Sequence, residues 1–294
     1  MSFHQAIDHA AQMISDGADV IEIGGESTRP GATPVAAADE IGRVLPVIEE
    51  IVRRWPSVRV AVDTVKSDVA SAAISAGATV VNDVSALRID PRIADVCAAA
   101  GCTLVLMHSR GDVGTMASYQ NAGYGDVMDE IISELEPATR SAQSAGVPRE
   151  MIIVDPGLGF SKRTEHSVQA LAHLRRLADL GFQVMVGASR KRFIGELTGV
   201  TKPAQRDAGT IGANVVALTL GATWFRVHDV RNNRHALDAA AAILEARDGP
   251  GSSSHSSLHL SCSSPRCARY STGCATRAPC AFCAACRESR WRRR

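Results

Sequence analysis

Short apolar runs alternate with longer amphipathic segments along most of the chain. Seven apolar runs are predicted strands, at residues 20–23, 58–63, 79–82, 103–107, 152–155, 183–187 and 223–227. Between them apolar residues recur with a helical period, for example at 3–15, 38–54, 66–76, 126–145 and 166–180. Strands and helices that alternate in this way predict parallel strands joined by right-handed crossovers.

A glycine is expected to end the helix before six of the seven predicted strands. Glycine is favoured at that point because the chain turns through the left-handed backbone conformation. The glycines concerned are Gly17, Gly77, Gly101, Gly146, Gly181 and Gly221. Their regular placement supports the alternation of helix and strand.

The repeat fits either an open doubly wound sheet or a (β/α)₈ barrel. The patterned region, residues 1–249, matches the usual size of the barrel, roughly 250 residues. It is one strand short, however, and the chain opens in a predicted helix with no strand before it. We therefore predict an α/β fold, a (β/α)₈ TIM-type barrel whose first strand is missing and whose two neighbouring strand edges are unpaired.

Residues 250–294 differ in composition from the rest of the chain. They contain ten Ser, eight of the 32 basic residues, one of the 31 acidic residues and six of the eight Cys, without a helical or strand period. Cys280, Cys283 and Cys286 have the spacing of metal ligands, but no second paired block accompanies them. We expect a disordered tail, or a reading-frame error, in preference to a zinc site, and little contribution to stability.

Composition narrows the class of protein. A hydrophobic content of 45% over 294 residues is enough for a large core. Outside the tail, acidic residues outnumber basic ones, so no nucleic-acid surface is expected. Residues 1–8 lack the regions of a signal peptide, and the longest uncharged run, 208–225, contains Asn214 and three glycines, which favours a buried core over a membrane span. We expect a cytoplasmic protein with no nucleic-acid or membrane partner.

Polar residues follow the predicted strands at their carboxyl ends. In a parallel barrel these ends share one face, and that face holds the active site. The residues are Glu22, Asp63, Asn82, Met107, His108, Asp155, Ser189, Lys191, Arg226 and His228. A single one of them could be a helix cap, but so many on one face indicate a binding site.

The side chains on this face are of two kinds. One kind suits a flat heterocycle with N–H donors and ring acceptors, and comprises Asp63, Asn82 and Asp155. The other kind, Lys191, Arg226 and His228, offers positive charge to phosphate oxygens. A ring and an anion bound side by side suggest a pyrophosphate ester as substrate.

Two loops support this interpretation. The strand at 183–187 leads into Ala-Ser-Arg-Lys-Arg at 188–192, and three cations at a helix N-terminus oppose its dipole, so an anionic ligand explains them better than a solvated helix start. Gly24, Gly25 and Gly31 flank Arg29 and predict a mobile loop that could close over the site.

Six stretches resemble, in the same order, the motifs of the dihydropteroate synthase family. They are 24–31, 63–64, 82–85, 155–160, 187–191 and 226–230, and the resemblance covers residues 3 to about 246. It implies a (β/α)₈ barrel that condenses p-aminobenzoate with 6-hydroxymethyl-7,8-dihydropterin pyrophosphate. The products would be 7,8-dihydropteroate, an intermediate of folate biosynthesis, and pyrophosphate. Mg²⁺ as cofactor and a possible homodimer are implied as well.

The resemblance also implies roles for individual residues. Asp63, Asn82 and Asp155 would hold the pterin, and Lys191 would lie between the pterin and p-aminobenzoate. The remaining substrate contacts would come from Thr28, Arg29, Pro30 and Ser189 around p-aminobenzoate, from Arg226 and His228 around pyrophosphate, and from Met107 and Phe160. The residues implied to be catalytic are Lys191, Arg226, His228 and Arg29.

One motif of the family has no counterpart here. Family members begin with a strand and loop resembling Asn-Val-Thr-x-Asp-Ser-Phe-Ser-Asp-Gly-Gly, whose Asn helps to bind Mg²⁺, and Met1 falls after nearly all of it. We therefore expect a poorly soluble or weakly active chain, and an inactive pterin-binding paralogue or fragment remains an alternative. A pterin-binding methyltransferase module is a second alternative, but it would not need Lys191, Arg226 and His228 together.

Overall fold

The computed structural model describes residues 2–27, 33–248 and 258–262. Within these ranges eight parallel strands form a closed barrel in chain order, and β8 pairs with both β7 and β1. The strands are β1 Val20–Gly24, β2 Arg59–Asp63, β3 Val80–Asp83, β4 Thr103–Met107, β5 Ile152–Asp155, β6 Gln183–Val186, β7 Trp224–Val227 and β8 His259–Cys262. The predicted TIM-type α/β barrel is confirmed.

Helices surround the barrel and connect its strands. They are α1 Phe3–Ser15, α2 Ala37–Arg54, α3 Ser67–Ser75, α4 Ile93–Ala100, α5 Val127–Ala145, α6 Thr164–Ala172, α7 Leu174–Ala178, α8 Arg192–Thr198, α9 Asp207–Thr219 and α10 Val230–Asp248. Across the described ranges, none of them combines the length and the apolar character that a bilayer-spanning helix requires.

Two apolar layers hold the barrel together. The larger one lies between strands and helices, and the smaller one fills the barrel interior. The interior layer takes one side chain from each of seven strands, namely Val20, Ala61, Val80, Val105, Ile153, Met185 and Trp224. Because both faces of the strands are covered, they read in the sequence as continuous apolar runs and not as alternating ones.

The glycines predicted to end helices all have the left-handed conformation. Their φ angles run from +62° at Gly101 to +106° at Gly77. At Gly77 a side chain would also be crowded, since a Cβ there would lie 3.0 Å from Val52. The predicted helix ends are therefore fixed by glycine at these junctions.

As predicted, the described residues contain no strand before α1. The predicted unpaired strand edges, however, are wrong, because the barrel is closed. The slot between β7 and β1 is filled by β8, which comes from the segment predicted to be a disordered tail. β8 pairs Trp224 with His259 on one side and Val20 with Ser261 on the other. Asp19 secures the pairing through a carboxylate oxygen 2.8 Å from the Leu260 amide.

The sequence gives no sign of β8 for a physical reason. Its four residues, His-Leu-Ser-Cys, are too short to show a period and lie in a Ser-rich stretch. They form a strand because β7 and β1 present backbone donors and acceptors that need partners, so tertiary context overrides propensity. The rest of the predicted tail, including Cys280, Cys283 and Cys286, lies outside the described residues.

Candidate active site

The carboxyl ends of the strands open into a cavity of about 1100 Å³. Its walls come from β1, β2 and β7, from α1, α2, α6 and α8, and from the loops after β4, β5 and β6. Among the predicted site residues it is lined by Asp63, Phe160, Ser189, Lys191, Arg226 and His228. Of the residues that the sequence places on one face, Glu22 also lines this cavity, whereas Asn82, Met107, His108 and Asp155 are buried and are not part of its lining.

Three groups meet beside Gly187, at the end of β6. A Cβ built on this glycine would lie 3.8 Å from Lys191 Nζ, 3.9 Å from Asp155 Oδ2 and 3.8 Å from Arg226 Cβ. The carboxylate expected to hold the heterocycle and the arginine expected to hold the anion therefore flank Lys191. Any side chain larger than glycine would occupy the space between them.

Asp155 is buried at the end of β5, and its Oδ1 accepts a hydrogen bond of 2.7 Å from the Gly157 amide. Burial raises the pKa of Asp155, while Lys191 and this hydrogen bond oppose the rise. Lys191 Nζ donates to the carbonyl of Leu158 and lies 4.6 Å from the centre of the Phe160 ring. Burial lowers the pKa of Lys191 to about 8, so its amine is still mostly charged at neutral pH.

Asn82 on β3 and Met107 on β4 are buried near the carboxyl ends of their strands. Asn82 donates from Nδ2 to Glu22 Oε2 over 3.3 Å. Its Oδ1 is buried without a hydrogen-bond partner among the described residues, so this oxygen can accept a ligand N–H. Met107 is buried in a small apolar cluster, and Phe160 packs against that cluster. A flat ring can lie against this surface.

Arg226 is held by two carboxylates on neighbouring strands. Its guanidinium donates to Asp63 Oδ2 over 2.7 Å and also to Glu22. Burial alone would lower the pKa of Arg226, but these two carboxylates raise it above the ordinary value. Glu22 was noted at a strand end but was not assigned to the site, because one acidic residue in an apolar strand does not reveal its partner.

His228 and Ser189 form the other part of the anion-binding half. Ser189 Oγ accepts from the His228 amide over 3.1 Å and lies 2.8 Å from His228 Nδ1. The hydroxyl can therefore donate to Nδ1, which leaves Nε2 as the ring donor. Burial, with Arg190 and Arg226 nearby, lowers the pKa of His228 to about 4.

Arg190 has a structural role in this region. Its guanidinium forms two hydrogen bonds, of 2.7 and 2.8 Å, to the carboxylate of Asp207 on α9. Of the three consecutive cations predicted to attract an anion, Lys191 and Arg192 line the cavity. The part of the hypothesis that rested on Arg190 is therefore not supported by its contacts.

A chain of three side chains that was missed from the sequence begins at the cavity wall, where Lys162 lines the cavity, and ends at the exposed Glu134. Lys162 Nζ is 2.7 Å from His108 Nδ1, and His108 Nε2 is 3.0 Å from Glu134 Oε2. Lys162 lies in a Ser-Lys-Arg-Thr stretch that reads as a solvated loop. Only the fold shows that its side chain turns inward.

Thr28, Arg29 and Pro30 lie outside the described residues, so their predicted roles stay predictions. The described ends of this loop are tied together. Glu26 Oε1 accepts from the Val35 amide over 2.6 Å, and Glu26 Oε2 accepts from Lys66 over 2.9 Å.

The described residues do not provide a dedicated Mg²⁺ site. No group of three His, Cys, Asp or Glu side chains among them is arranged to hold a metal ion. Glu22 and Asp63 are both bonded to Arg226. In the slot between β7 and β1 the described chain places Ser261 and Cys262, and burial raises the pKa of Cys262 to about 12. A neutral thiol is a poor ligand for a hard cation.

The chain is similar to known proteins along most of its length. The model of the family described as pterin binding enzyme matches residues 1–228. Dihydropteroate synthase of Mycobacterium leprae is 39% identical over 246 residues, which are 82% of this chain and 86% of that protein. The mitochondrial folate synthesis bifunctional protein of Arabidopsis thaliana is 39% identical over 262 residues, which are 85% of this chain and 47% of that protein. The chain thus spans about half the length of this longer relative.

A solved structure agrees with the sequence comparison. Dihydropteroate synthase of Xanthomonas albilineans, solved with 4-aminobenzoic acid, superimposes with a TM-score of 0.77 at 43% identity. The superposition covers 82% of this chain and 85% of that chain.

Proposed function

The chain belongs to the pterin-binding enzyme family, and from that premise we propose that it is a dihydropteroate synthase. It would join p-aminobenzoate to 6-hydroxymethyl-7,8-dihydropterin pyrophosphate and release pyrophosphate. One observation carries the proposal: Asp155, Lys191 and Arg226 all lie within 4 Å of a Cβ position on Gly187. A heterocycle site and an anion site that meet at an amine suit a substrate in which a pterin carries a diphosphate.

In the pterin half, Asp155 and Asn82 supply acceptors for ring N–H groups. Asp155 is anchored by the Gly157 amide, so its other oxygen, Oδ2, faces the point beside Gly187. Asn82 Oδ1 has no partner among the described residues and gains one when a ring N–H arrives. Met107 and Phe160 supply the apolar surface for the ring faces. The ring would therefore be held by its edge and by both faces.

In the anion half, Arg226 and His228 would bind the diphosphate. Arg226 carries a permanent charge. His228, which is neutral when no anion is bound, offers Nε2–H as a donor. Bringing two negative phosphates beside these groups favours the charged form of His228, so anion binding and proton uptake support each other. In this proposal Asp63 contacts both halves, because it lines the cavity and is bonded to Arg226.

The reaction follows from this arrangement. The bond between the pterin methylene carbon and the diphosphate oxygen breaks, and its electron pair leaves with the oxygen. The amine nitrogen of p-aminobenzoate forms the new bond to that carbon and loses a proton. Arg226 and His228 stabilise the charge on the departing diphosphate, while the cavity holds both substrates in line. No covalent intermediate with the protein is needed.

Mg²⁺ remains part of this proposal through the family resemblance alone. Mg²⁺ usually keeps several waters and takes few protein ligands beside substrate phosphates. It would therefore enter with the diphosphate, and we assign no step to it. A cytoplasmic location and a homodimer likewise stay proposals, and light scattering of the purified chain would measure its oligomeric state.

The test of the proposed function is product formation by the full chain. With p-aminobenzoate, the pterin pyrophosphate and Mg²⁺, we expect one dihydropteroate for each pyrophosphate released. Lys191→Met should reduce the rate by about 100-fold or more, because a charged group at the reacting centre is removed. Lys202→Met changes an exposed lysine and should leave the rate unchanged. Pterin binding without any product would instead favour a non-synthase member of the family.

A further inference from the structure

Lys162 is a buried cation that the proposed chemistry does not use. Its side chain is 1% exposed although it follows a surface loop. Lys66 pairs with Glu26 and Glu40, whereas no ion pair of Lys162 is found among the described residues. Buried lysines are usually paired. Burial lowers the pKa of Lys162 well below its ordinary value, and Asp155 only partly offsets this effect. A group that is so costly to bury calls for a reason outside stability.

Hydrogen bonds connect Lys162 to His108 and to the backbone of Phe160. Its amine lies 2.7 Å from His108 Nδ1 and donates to the carbonyl of Phe160 over 3.2 Å. The Glu134 carboxylate can only accept, so His108 carries its ring proton on Nε2 and presents a lone pair on Nδ1 to Lys162. The direction of each bond in the chain from Glu134 to Phe160 is thereby fixed.

The hydrogen bonds from Glu134 through His108 and Lys162 to Phe160 join the loop after β5 to the end of β4. The loop runs from Asp155 to Phe160, and Lys191 donates to it at the carbonyl of Leu158. Lys162 donates to it at Phe160, so two amines hold one loop from two sides. The loop turns through the left-handed backbone conformation at Gly157 and Gly159, whose φ angles are +66° and +76°.

We propose that Lys162 is a positioning residue of the pterin pocket, which ties Phe160 to His108 and so holds the loop from Asp155 to Phe160 in its ligand-binding shape. Lys162 acts through this loop. This inference rests on the proposed function, because the loop carries the carboxylate and the aromatic ring assigned to the pterin.

The proposal differs from a purely structural role in what a substitution should do. Methionine has a similar volume and no charge. Replacing a buried, unpaired amine by such an apolar side chain is often neutral or stabilising for the fold. If Lys162 serves positioning, Lys162→Met keeps the melting temperature and loses pterin affinity. If Lys162 instead stabilises the fold, the melting temperature and the pterin affinity fall together.

The experiment uses the full chain and three measurements. Thermal unfolding gives the melting temperature, and calorimetry gives Kd for a pterin without phosphate and, separately, for inorganic pyrophosphate. For Lys162→Met we expect an unchanged or higher melting temperature and a pterin Kd raised about tenfold, the effect of one lost hydrogen bond to a charged group. The pyrophosphate Kd should stay within about twofold, because Arg226 and His228 do not contact Lys162. Lys202→Met should change none of the three.

A second variant perturbs the same chain from its exposed end. Glu134→Ala removes the acceptor that fixes the His108 ring, so the pterin Kd should rise in the same direction but less than for Lys162→Met. Glu136→Ala, on the exposed side of α5, is the matched control. This arm tests the proposal even if Lys162→Met fails to fold.

The outcomes separate the two proposals. An unchanged pterin Kd in Lys162→Met, or a fall in melting temperature with equal loss of both ligands, would overturn the role of Lys162 and leave the synthase proposal standing. A wild-type chain that binds neither pterin nor pyrophosphate would overturn both.

Discussion

The role of a single residue could be predicted only where its partners could be recognised in the sequence. Asp63, Asn82 and Asp155 could be recognised because each ends an apolar strand, and parallel strands end on one face. Glu22 and Lys162 could not be assigned, because a lone charge in a strand or loop does not show which distant side chain it will meet. The partner of Arg190 was missed for the same reason, since Asp207 lies 17 residues further on.

Asp155 offers the clearest prediction at the scale of one residue. Asp155→Asn should weaken pterin binding by about 2–4 kcal/mol, because the charge-assisted bonds to ring N–H groups are lost and an amide donor faces them instead. Calorimetry with a pterin ligand measures the change. Asp179→Asn, at an exposed carboxylate, is the control. Equal affinities for the wild type and Asp155→Asn would remove Asp155 from the site.

The lowered pKa of His228 predicts how the free energy of unfolding depends on pH. Its pKa is lowered by burial to about 4 in the folded chain, whereas an unfolded histidine titrates near about 6.5. Since the folded pKa is the lower one, the unfolded chain takes up the proton first, and stability is lost as pH falls from about 6.5 towards 4. Between pH 7 and pH 5 this group should account for about 2 kcal/mol of that loss.

Urea unfolding at pH 7 and pH 5 checks this prediction. His228→Gln should lose less free energy of unfolding than the wild type over this interval. His4→Gln, at an exposed histidine of α1, should behave like the wild type. Identical losses in all three proteins would mean that His228 already takes up a proton in the folded chain at these pH values.

Among the helices and strands, most could be predicted because they depend on residues close together in the sequence. The apolar runs became strands, and the six glycines ended helices with positive φ, because both signals are local. β8 could not be foreseen, since His259–Cys262 forms a strand only where β7 and β1 offer it partners. The expectation of disorder beyond residue 249 does not hold for these four residues, because they pair with β1 and β7, while the contribution of the segment to stability stays a prediction.

A substitution of Leu260 tests how much β8 contributes to the stability of the barrel. It is 1% exposed and packs into the layer between strands and helices. Leu260→Ala should lower the free energy of unfolding by about 2–4 kcal/mol, the usual cost of a buried Leu→Ala change. Leu197→Ala, at a leucine that is 60% exposed, should change it by less than about 0.5 kcal/mol. Denaturant unfolding gives both values, and equal small effects would show that β8 does not stabilise the barrel.

The whole molecule is built on one barrel, and the two proposed halves of the site share a border. The barrel could be predicted because its repeat unit recurs along the chain, and the chemistry of its rim could be divided into a heterocycle half and an anion half from side-chain types. What the sequence could not show is that the halves meet beside Gly187, because this depends on the order of β5, β6 and β7 around the barrel.

In the proposed function a pterin and a diphosphate bind side by side in this cavity. The most direct measurement is a crystal structure of the full chain with 7,8-dihydropteroate and pyrophosphate bound together. We predict the pterin edge on Asp155 and Asn82, pyrophosphate on Arg226 and His228, and Lys191 between them. A pterin bound elsewhere, or a pyrophosphate that does not reach Arg226, would contradict the account.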